Sequence, residues 1–207
     1  MKRFLLLTLL CVLLSSCTSA ILVDIEKANV SPKFSKATVT RVAVIGFDKN
    51  VDVHYNTAII ADKFTAELVD GQLFNIMDRN DIDKIITEVG FQQKASGTGL
   101  LDEQTKKRLQ AMGADSVLTG KLIKYRQIER GDSILLSEAQ LVAKLLRIET
   151  GEVLWSAEIA ERSKIDGKKE AVSAEVLLSD IITKMSKPLK SEGMMKKIGK
   201  NINFLKN

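Results

Sequence analysis

The 207 residues carry a formal net charge of +5, are 45% hydrophobic and include only two prolines, which is the composition of a globular chain rather than a disordered one. So mild a positive charge does not favour nucleic acid as a partner. One histidine and two cysteines are too few for the usual zinc spacings, and we expect neither a metal nor another cofactor.

The chain opens with a predicted lipoprotein signal peptide over residues 1–16. A short positive region is followed by an apolar run at residues 4–14 and then by small residues that lead into Cys17. About 11 apolar residues are too few to span a bilayer, which takes about 20, so the segment is typical of a cleaved secretory signal. The position of the cysteine resembles a bacterial lipobox, which implies cleavage between Ser16 and Cys17 and a diacylglyceryl cysteine with further acylation such as palmitate.

The lipid on Cys17 predicts where the protein is held. Two or more acyl chains give stable anchoring, since each buried methylene contributes about 0.8 kcal/mol. The next residue is Thr18 rather than Asp, which resembles sorting to the outer membrane, and we expect the domain to face the periplasm. Loss of Lys2 and Arg3 with the signal lowers the net charge from +5 to +3, and no free thiol remains for a disulfide or a nucleophile.

We place the domain at residues 38–189. The segment before it, residues 17–37, has no convincing periodicity and is predicted to be a lipidated N-terminus and tether. Residues 39–47 are apolar on both alternating faces, which predicts a strand buried on both sides. The next element is a predicted helix that starts after Thr57, ends at Gly71 in a left-handed cap, and buries residues four apart: Ile60, Phe64 and Leu68.

The remaining elements complete an order β-α-β-α-α-β-β-β-α. A strand at 73–77 leads into a helix at 82–90 capped by Asp78 or Asn80, and a further helix is predicted from residue 102 to Gly113. Strands then follow at 115–127, 138–149 and 153–161, the last two joined by a hairpin at Thr150 and Gly151, before an amphipathic helix at 174–189. This order predicts a single α/β layered domain whose mixed, mainly antiparallel sheet is flanked by helices.

A basic tail at residues 190–207 is the last predicted segment. It has an amphipathic helical pattern and excess lysine, which suits an anionic membrane surface or a neighbouring subunit. A helix that covers its own domain, or a frayed terminus, fits the same pattern.

Four segments carry a resemblance to a known family, namely residues 41–47 (RVAVIGF), 73–86, 88–97 and 113–120 (GADSVLTG). In this order, behind a lipobox, they resemble the CsgG family, the lipoprotein family of the curli-secretion channel. They are also similar to related periplasmic lipoproteins such as activators of penicillin-binding proteins and flagellar outer-membrane lipoproteins. The resemblance implies a CsgG-like fold and a role in envelope biogenesis or curli assembly.

The chain departs from that channel in the length of its loops. A membrane strand takes about 9–11 residues, whereas the gaps at residues 129–133 and 150–151 are short. We therefore do not carry the pore activity over, and a ring subunit of a curli-like secretion channel is the alternative hypothesis.

No catalytic residue is predicted. His54 lies in a loop without a neighbouring nucleophile, and Trp155 occupies an inward strand position that favours the core over an interface. Arg79 is a possible partner contact, because guanidinium groups suit carboxylates, or simply a salt-bridged neighbour of the cap Asp78. We expect a non-enzymatic protein that acts by protein–protein binding, with envelope proteins or a second copy of itself as partners.

Overall fold

The computed structural model describes residues 21–31, 34, 39–71, 74–77, 81–82, 103–165 and 171–190. The strands are β1 (Ile21–Val30), β2 (Arg41–Val44), β3 (Asp48–Lys49), β4 (Asn75–Ile76), β5 (Ser116–Arg130), β6 (Ser133–Arg147) and β7 (Val153–Lys164). The helices are α1 (Ala58–Gly71), α2 (Glu103–Ala111) and α3 (Ala174–Ser186), which continues into a 3₁₀ turn at Lys187–Lys190.

The seven strands form one sheet in the order β1-β7-β6-β5-β2-β4, with β3 paired to β5. The pairs β5–β6, β6–β7 and β1–β7 are antiparallel, whereas β2 runs parallel to both β4 and β5. The predicted α/β domain with a mixed, mainly antiparallel sheet is therefore confirmed, and so is the hairpin between β6 and β7.

Helices α1 and α3 pack on one face of this sheet and form the larger core. The predicted inward positions of α1, Ile60, Phe64 and Leu68, are all buried, and the Phe64 ring stacks on that of Phe47 with centroids 5.3 Å apart. A smaller cluster on the opposite face joins Leu109 of α2 to Val117 at the start of β5 and to Leu146 near the end of β6. The sheet thus has helices on both faces, but unequally.

Two glycines differ in what they do at helix ends. Gly113 has a φ of +84° after α2 and stops that helix as predicted. Gly71 is the last residue of α1 without the left-handed conformation, so the predicted cap is wrong. A Cβ at Gly71 would lie 2.7 Å from Cγ of Lys190, and glycine therefore lets the 3₁₀ turn approach the end of α1.

The prediction of a structureless tether is wrong for Ile21–Val30, which form the edge strand β1. The register against β7 shifts between Val23 and Ile25, and such a bulge interrupts the two-residue alternation by which a strand is recognised. Strand β6 also begins earlier than predicted, at Ser133, because its turn with β5 is only Gly131 and Asp132.

Several predictions fall outside the described residues. They include Ser16 and Cys17, the cap residues Asp78 and Asn80, Arg79, and the tail beyond Lys190. Of the helix predicted at 82–90 the structure describes only a helical start at Asp81 and Ile82. Among the described residues, no helix is long and apolar enough to cross a membrane.

Candidate partner-binding surface

The three long strands β5, β6 and β7 present one side that neither α1 nor α3 covers. Successive side chains of a strand point to opposite faces, and the core-facing Trp155, Ala157 and Ile159 therefore alternate with outward-facing neighbours. We call this side the open face. Its five cross-strand rows are Thr119–Lys144–Ser156, Lys121–Val142–Glu158, Lys124–Gln140–Ala160, Arg126–Glu138–Arg162 and Ile128–Leu136–Lys164.

The open face is cationic. Its fifteen residues include six bases, Lys121, Lys124, Arg126, Lys144, Arg162 and Lys164, against two acids, Glu138 and Glu158. Clustered charge of one sign attracts a partner of the opposite sign and steers its approach.

The acids on this surface neutralise it only in part. Glu138 lies 3.7 Å from Lys124 Nζ and 4.0 Å from Arg126 Nη1, while Glu158 accepts a hydrogen bond from Gln140. Exposed pairs at such distances contribute at most about 1 kcal/mol. Lys121 is also paired, since its Nζ lies 3.9 Å from Asp48 of β3. The contacts of Lys124, Arg126 and Lys121 are long, and the charge of these bases is only partly neutralised within the sheet.

On the side of the open face, the described residues place α2 and the helical start at Asp81 and Ile82. Both pack at the far end, where Leu109 and Ile82 join Val117 and Leu146 in the smaller core. Val117 and Leu146 lie opposite each other, two residues beyond the Thr119–Lys144 row and towards the start of β5. The smaller core therefore lies outside the five rows. The rows themselves carry polar tips over a few half-buried apolar side chains, as a partner-binding surface does.

A second polar cluster joins the loop before α1, β5 and α3. Tyr55 Oη donates to Glu175 Oε2 at 2.9 Å, Tyr125 Oη lies 3.4 Å from the same oxygen, and Lys63 Nζ pairs with Glu175 Oε1 at 2.7 Å. Burial, with the adjacent Glu175 carboxylate, raises the pKa of Tyr55. Burial alone would raise the pKa of Glu175, but hydrogen bonds from Lys63 and Tyr55 outweigh it and lower that pKa. These groups satisfy one another, so the cluster fastens α3 to the sheet.

One acidic residue lies within the core face itself. Glu161 of β7 is 2% exposed, and its Oε1 is 2.5 Å from Lys184 Nζ, which also pairs with Asp180 at 2.8 Å. Burial raises the pKa of Glu161 against the opposing effect of Lys184. The alternation of Trp155, Ala157 and Ile159 extends to position 161, and this pattern alone predicts an inward-facing acid there.

A surface cavity of about 310 Å³ lies beside this ion pair. It is lined by Glu26, Lys27, Ala28, Trp155, Ala157, Ile159, Lys184, Met185 and Pro188. The indole Nε1 of Trp155 is buried and has no hydrogen-bond partner. No group of three or more His, Cys, Asp or Glu side chains in the described part of the chain is placed to hold a metal ion.

The predicted site residues Ser16, Cys17 and Arg79 lie outside the described part of the chain. His54 is exposed in its loop, and Trp155 is fully buried in the main core as expected. Lys190, the first residue of the predicted tail, pairs with Glu67 and with Asp70 at 3.1 Å, which fixes the start of that tail against α1. The open face was missed, because its charges come from three separate strands.

Comparison with known proteins gives a fold and a family. PelC from Paraburkholderia phytofirmans, solved as a dodecamer, is 14% identical with a TM-score of 0.54, over 81% of this chain and 98% of PelC. Lipoprotein GNA1162 from Neisseria meningitidis is 15% identical with a TM-score of 0.52, over 72% of this chain and 97% of that one. At such identities these likenesses show a shared fold alone. No curated protein matches the chain.

The family is decided by a family model rather than by these structures. The model described as "Peptidoglycan-synthase activator LpoB" matches residues 33–161, more than half of the chain. The expected membership of the CsgG family is therefore wrong, and with it the expectation of curli assembly. The protein belongs to the LpoB family of peptidoglycan-synthase activators.

Proposed function

We propose that this protein is an outer-membrane lipoprotein, anchored through Cys17, whose periplasmic domain binds a peptidoglycan synthase and activates it without catalysing a reaction itself. The family match over residues 33–161 is the observation that carries the proposal. The lipobox-like sequence before Cys17 supports the anchor and the destination.

The open face supports a role in binding. It offers six bases and two acids on a rigid three-stranded platform, and a site built on strands holds its side chains more precisely than one built on loops. The complementary surface on the synthase is then acidic. Attraction of this kind raises the association rate and weakens with salt.

Charge reversal tests this assignment. The double variant Lys121→Glu and Lys144→Glu changes two adjacent rows, and Lys187→Glu reverses an exposed charge at the end of α3, which packs on the opposite side of the sheet. We expect the double variant to bind a purified peptidoglycan synthase from the same envelope at least 10-fold more weakly, which is about 1.4 kcal/mol. Lys187→Glu should bind as the unaltered protein does.

The same samples are read for activation. The rate of glycan polymerisation by the synthase should rise with the unaltered protein and with Lys187→Glu, and should rise little with the double variant. Equal binding and activation by all three proteins would remove the open face from the proposal. Absence of binding by the unaltered protein would remove the synthase as partner.

The anchor is tested separately. Cys17→Ala should move the protein from the membrane fraction to the soluble fraction, and the mature unaltered protein should carry the mass of a lipidated cysteine at its N-terminus. Retention of Cys17→Ala in the membrane would contradict anchoring through this residue.

A further inference from the structure

The register of the sheet places the predicted anchor at one definite end. Strand β1 begins at Ile21, which lies opposite Ser163 of β7, and Ser163 in turn lies opposite Ser137 of β6. The turn between β5 and β6 projects beyond this level, whereas the turn between β6 and β7, at Thr150, is at the other end. The strand that follows Cys17 therefore starts on the same side as the β5–β6 turn.

Chain length then limits how far the bilayer is from that turn. Four Cα–Cα steps separate Cys17 from Ile21, so they span at most about 14 Å. The hairpin extends four residues beyond the same level, from Ser137 to Ser133, which is about 13 Å of strand. The overhang of the hairpin and the maximum reach of the anchor are therefore equal within the precision of such an estimate.

The overhang has the chemistry of a membrane-surface contact. Apolar side chains at Ile128, Ile134, Leu135 and Leu136 are half-buried, and Ile165, which follows β7 at this end, is 42% exposed. Apolar residues at this density on a hairpin tip suit the boundary between headgroups and acyl chains.

The charged residues of the overhang are mixed. Arg130 and Lys164 are exposed beside the acids Glu129 and Asp132. Long basic side chains accommodate a membrane interface by extending their charge toward the phosphates, and the acids at the turn keep the net attraction modest. The covalent lipid, rather than charge, is then the main force that holds this end in place.

We propose that the end of the sheet formed by the β5–β6 turn and Ile165 rests against the headgroups of the bilayer that holds the lipid of Cys17. This contact rests on the proposed anchor. It holds one end of the domain at the membrane surface, with the row of Ile128, Leu136 and Lys164 nearest the headgroups. The other four rows of the open face remain accessible from the side.

Two engineered cysteines test the contact, since acylation of Cys17 and loss of Cys11 with the signal leave no other thiol. Asp132→Cys and Thr150→Cys lie in tight turns at opposite ends of the sheet, about 50 Å apart along β6. The full lipidated chain carrying an environment-sensitive fluorophore at either position is reconstituted in phosphatidylethanolamine–phosphatidylglycerol vesicles that contain a spin-labelled quencher lipid. We expect quenching at position 132 to be several-fold greater than at position 150.

A linker variant separates the contact from the anchor. Ten Gly and Ser residues inserted between Ser19 and Ala20 lengthen the reach without changing the lipid, and quenching at position 132 should fall if the short connection holds the turn down. Equal quenching at both positions in a lipidated protein would overturn the contact while leaving the anchor intact. A mature protein without lipid mass would overturn the anchor and, with it, this contact.

Discussion

Gly120→Ala should strongly destabilise the domain, because a Cβ at this position would clash with its neighbours. An ideal Cβ on Gly120 would lie 2.1 Å from the carbonyl oxygen of Val142 and 2.6 Å from Cε1 of Phe47. The carbonyl belongs to the neighbouring strand β6, and the Phe47 ring is fixed by its stack on Phe64. Relief of the clash therefore requires movement of the sheet or of the core.

Overpacking of a close-packed core costs about 1–3 kcal/mol, and the backbone contact places this variant at the upper end, about 3 kcal/mol. For a domain of this size that corresponds to a fall in Tm of about 6–12 °C. Thermal unfolding followed by circular dichroism measures it, with the fluorescence of the single, buried Trp155 as a second probe.

Gly131→Ala is the matched control. Gly131 has a φ of +58° and nothing within 4 Å of an added Cβ. Alanine there should lower the free energy of unfolding only through its unfavourable left-handed backbone conformation, by about 1–2 kcal/mol. A smaller loss for Gly120→Ala than for Gly131→Ala would refute the close approach between β5, β6 and Phe47.

Two further predictions concern carboxylates whose pKa is affected by burial, the half-buried Asp115 and the buried Glu161. Burial alone would raise the pKa of Asp115, but hydrogen bonds from Thr40 and Arg41 outweigh it and lower the pKa. The resulting stability is present above the ordinary aspartate pKa of about 4 and is lost as the pH falls through the lowered value. Asp115→Asn should therefore make the free energy of unfolding depend less on pH between pH 2 and 5. An unchanged pH dependence in this range would contradict the prediction. Lys184→Met leaves Glu161 charged and buried without its cation, and should cost about 3 kcal/mol at pH 7. Because burial raises the pKa of Glu161, protonation should make that loss smaller at pH 5 in urea unfolding, whereas equal losses at the two pH values would count against the buried pair.

Periodicity predicted α1 and β7 well. The four-residue spacing of Ile60, Phe64 and Leu68 identified α1 and its buried face, and the alternation from Trp155 to Ile159 identified β7. Both patterns arise because these elements bury one side only, which leaves a regular trace in the sequence.

The sheet edges could not be read in the same way. The bulge in β1 disrupts its alternation, and β3 is two residues long, which is too short for any period. The open face is a different case, since its bases lie on β5, β6 and β7 and become neighbours only through the register of those strands. No local pattern contains that information.

Family membership was misread for a related reason. Two of the four segments that suggested CsgG lie wholly in the described residues and are parts of the fold: residues 41–47 contain β2, and residues 113–120 lead from Gly113 into the start of β5. PelC and GNA1162 share that fold with this chain at 14% and 15% identity. Short motifs of this type therefore identify the architecture, and a match along the whole segment 33–161 was needed to identify the family.

The proposed anchor and the proposed binding surface constrain each other. From the row of Ile128 to the row of Thr119 the open face extends nine residues along β5, about 30 Å, and it begins just above the turn that we place at the headgroups. The cationic rows then lie within about 45 Å of the bilayer, the range in which a synthase has to present its acidic surface. A domain on a long tether would not be restricted to this range of distances. Because β1 starts at Ile21, four residues after Cys17, the proposed anchor limits the distance from the bilayer at which the partner can bind.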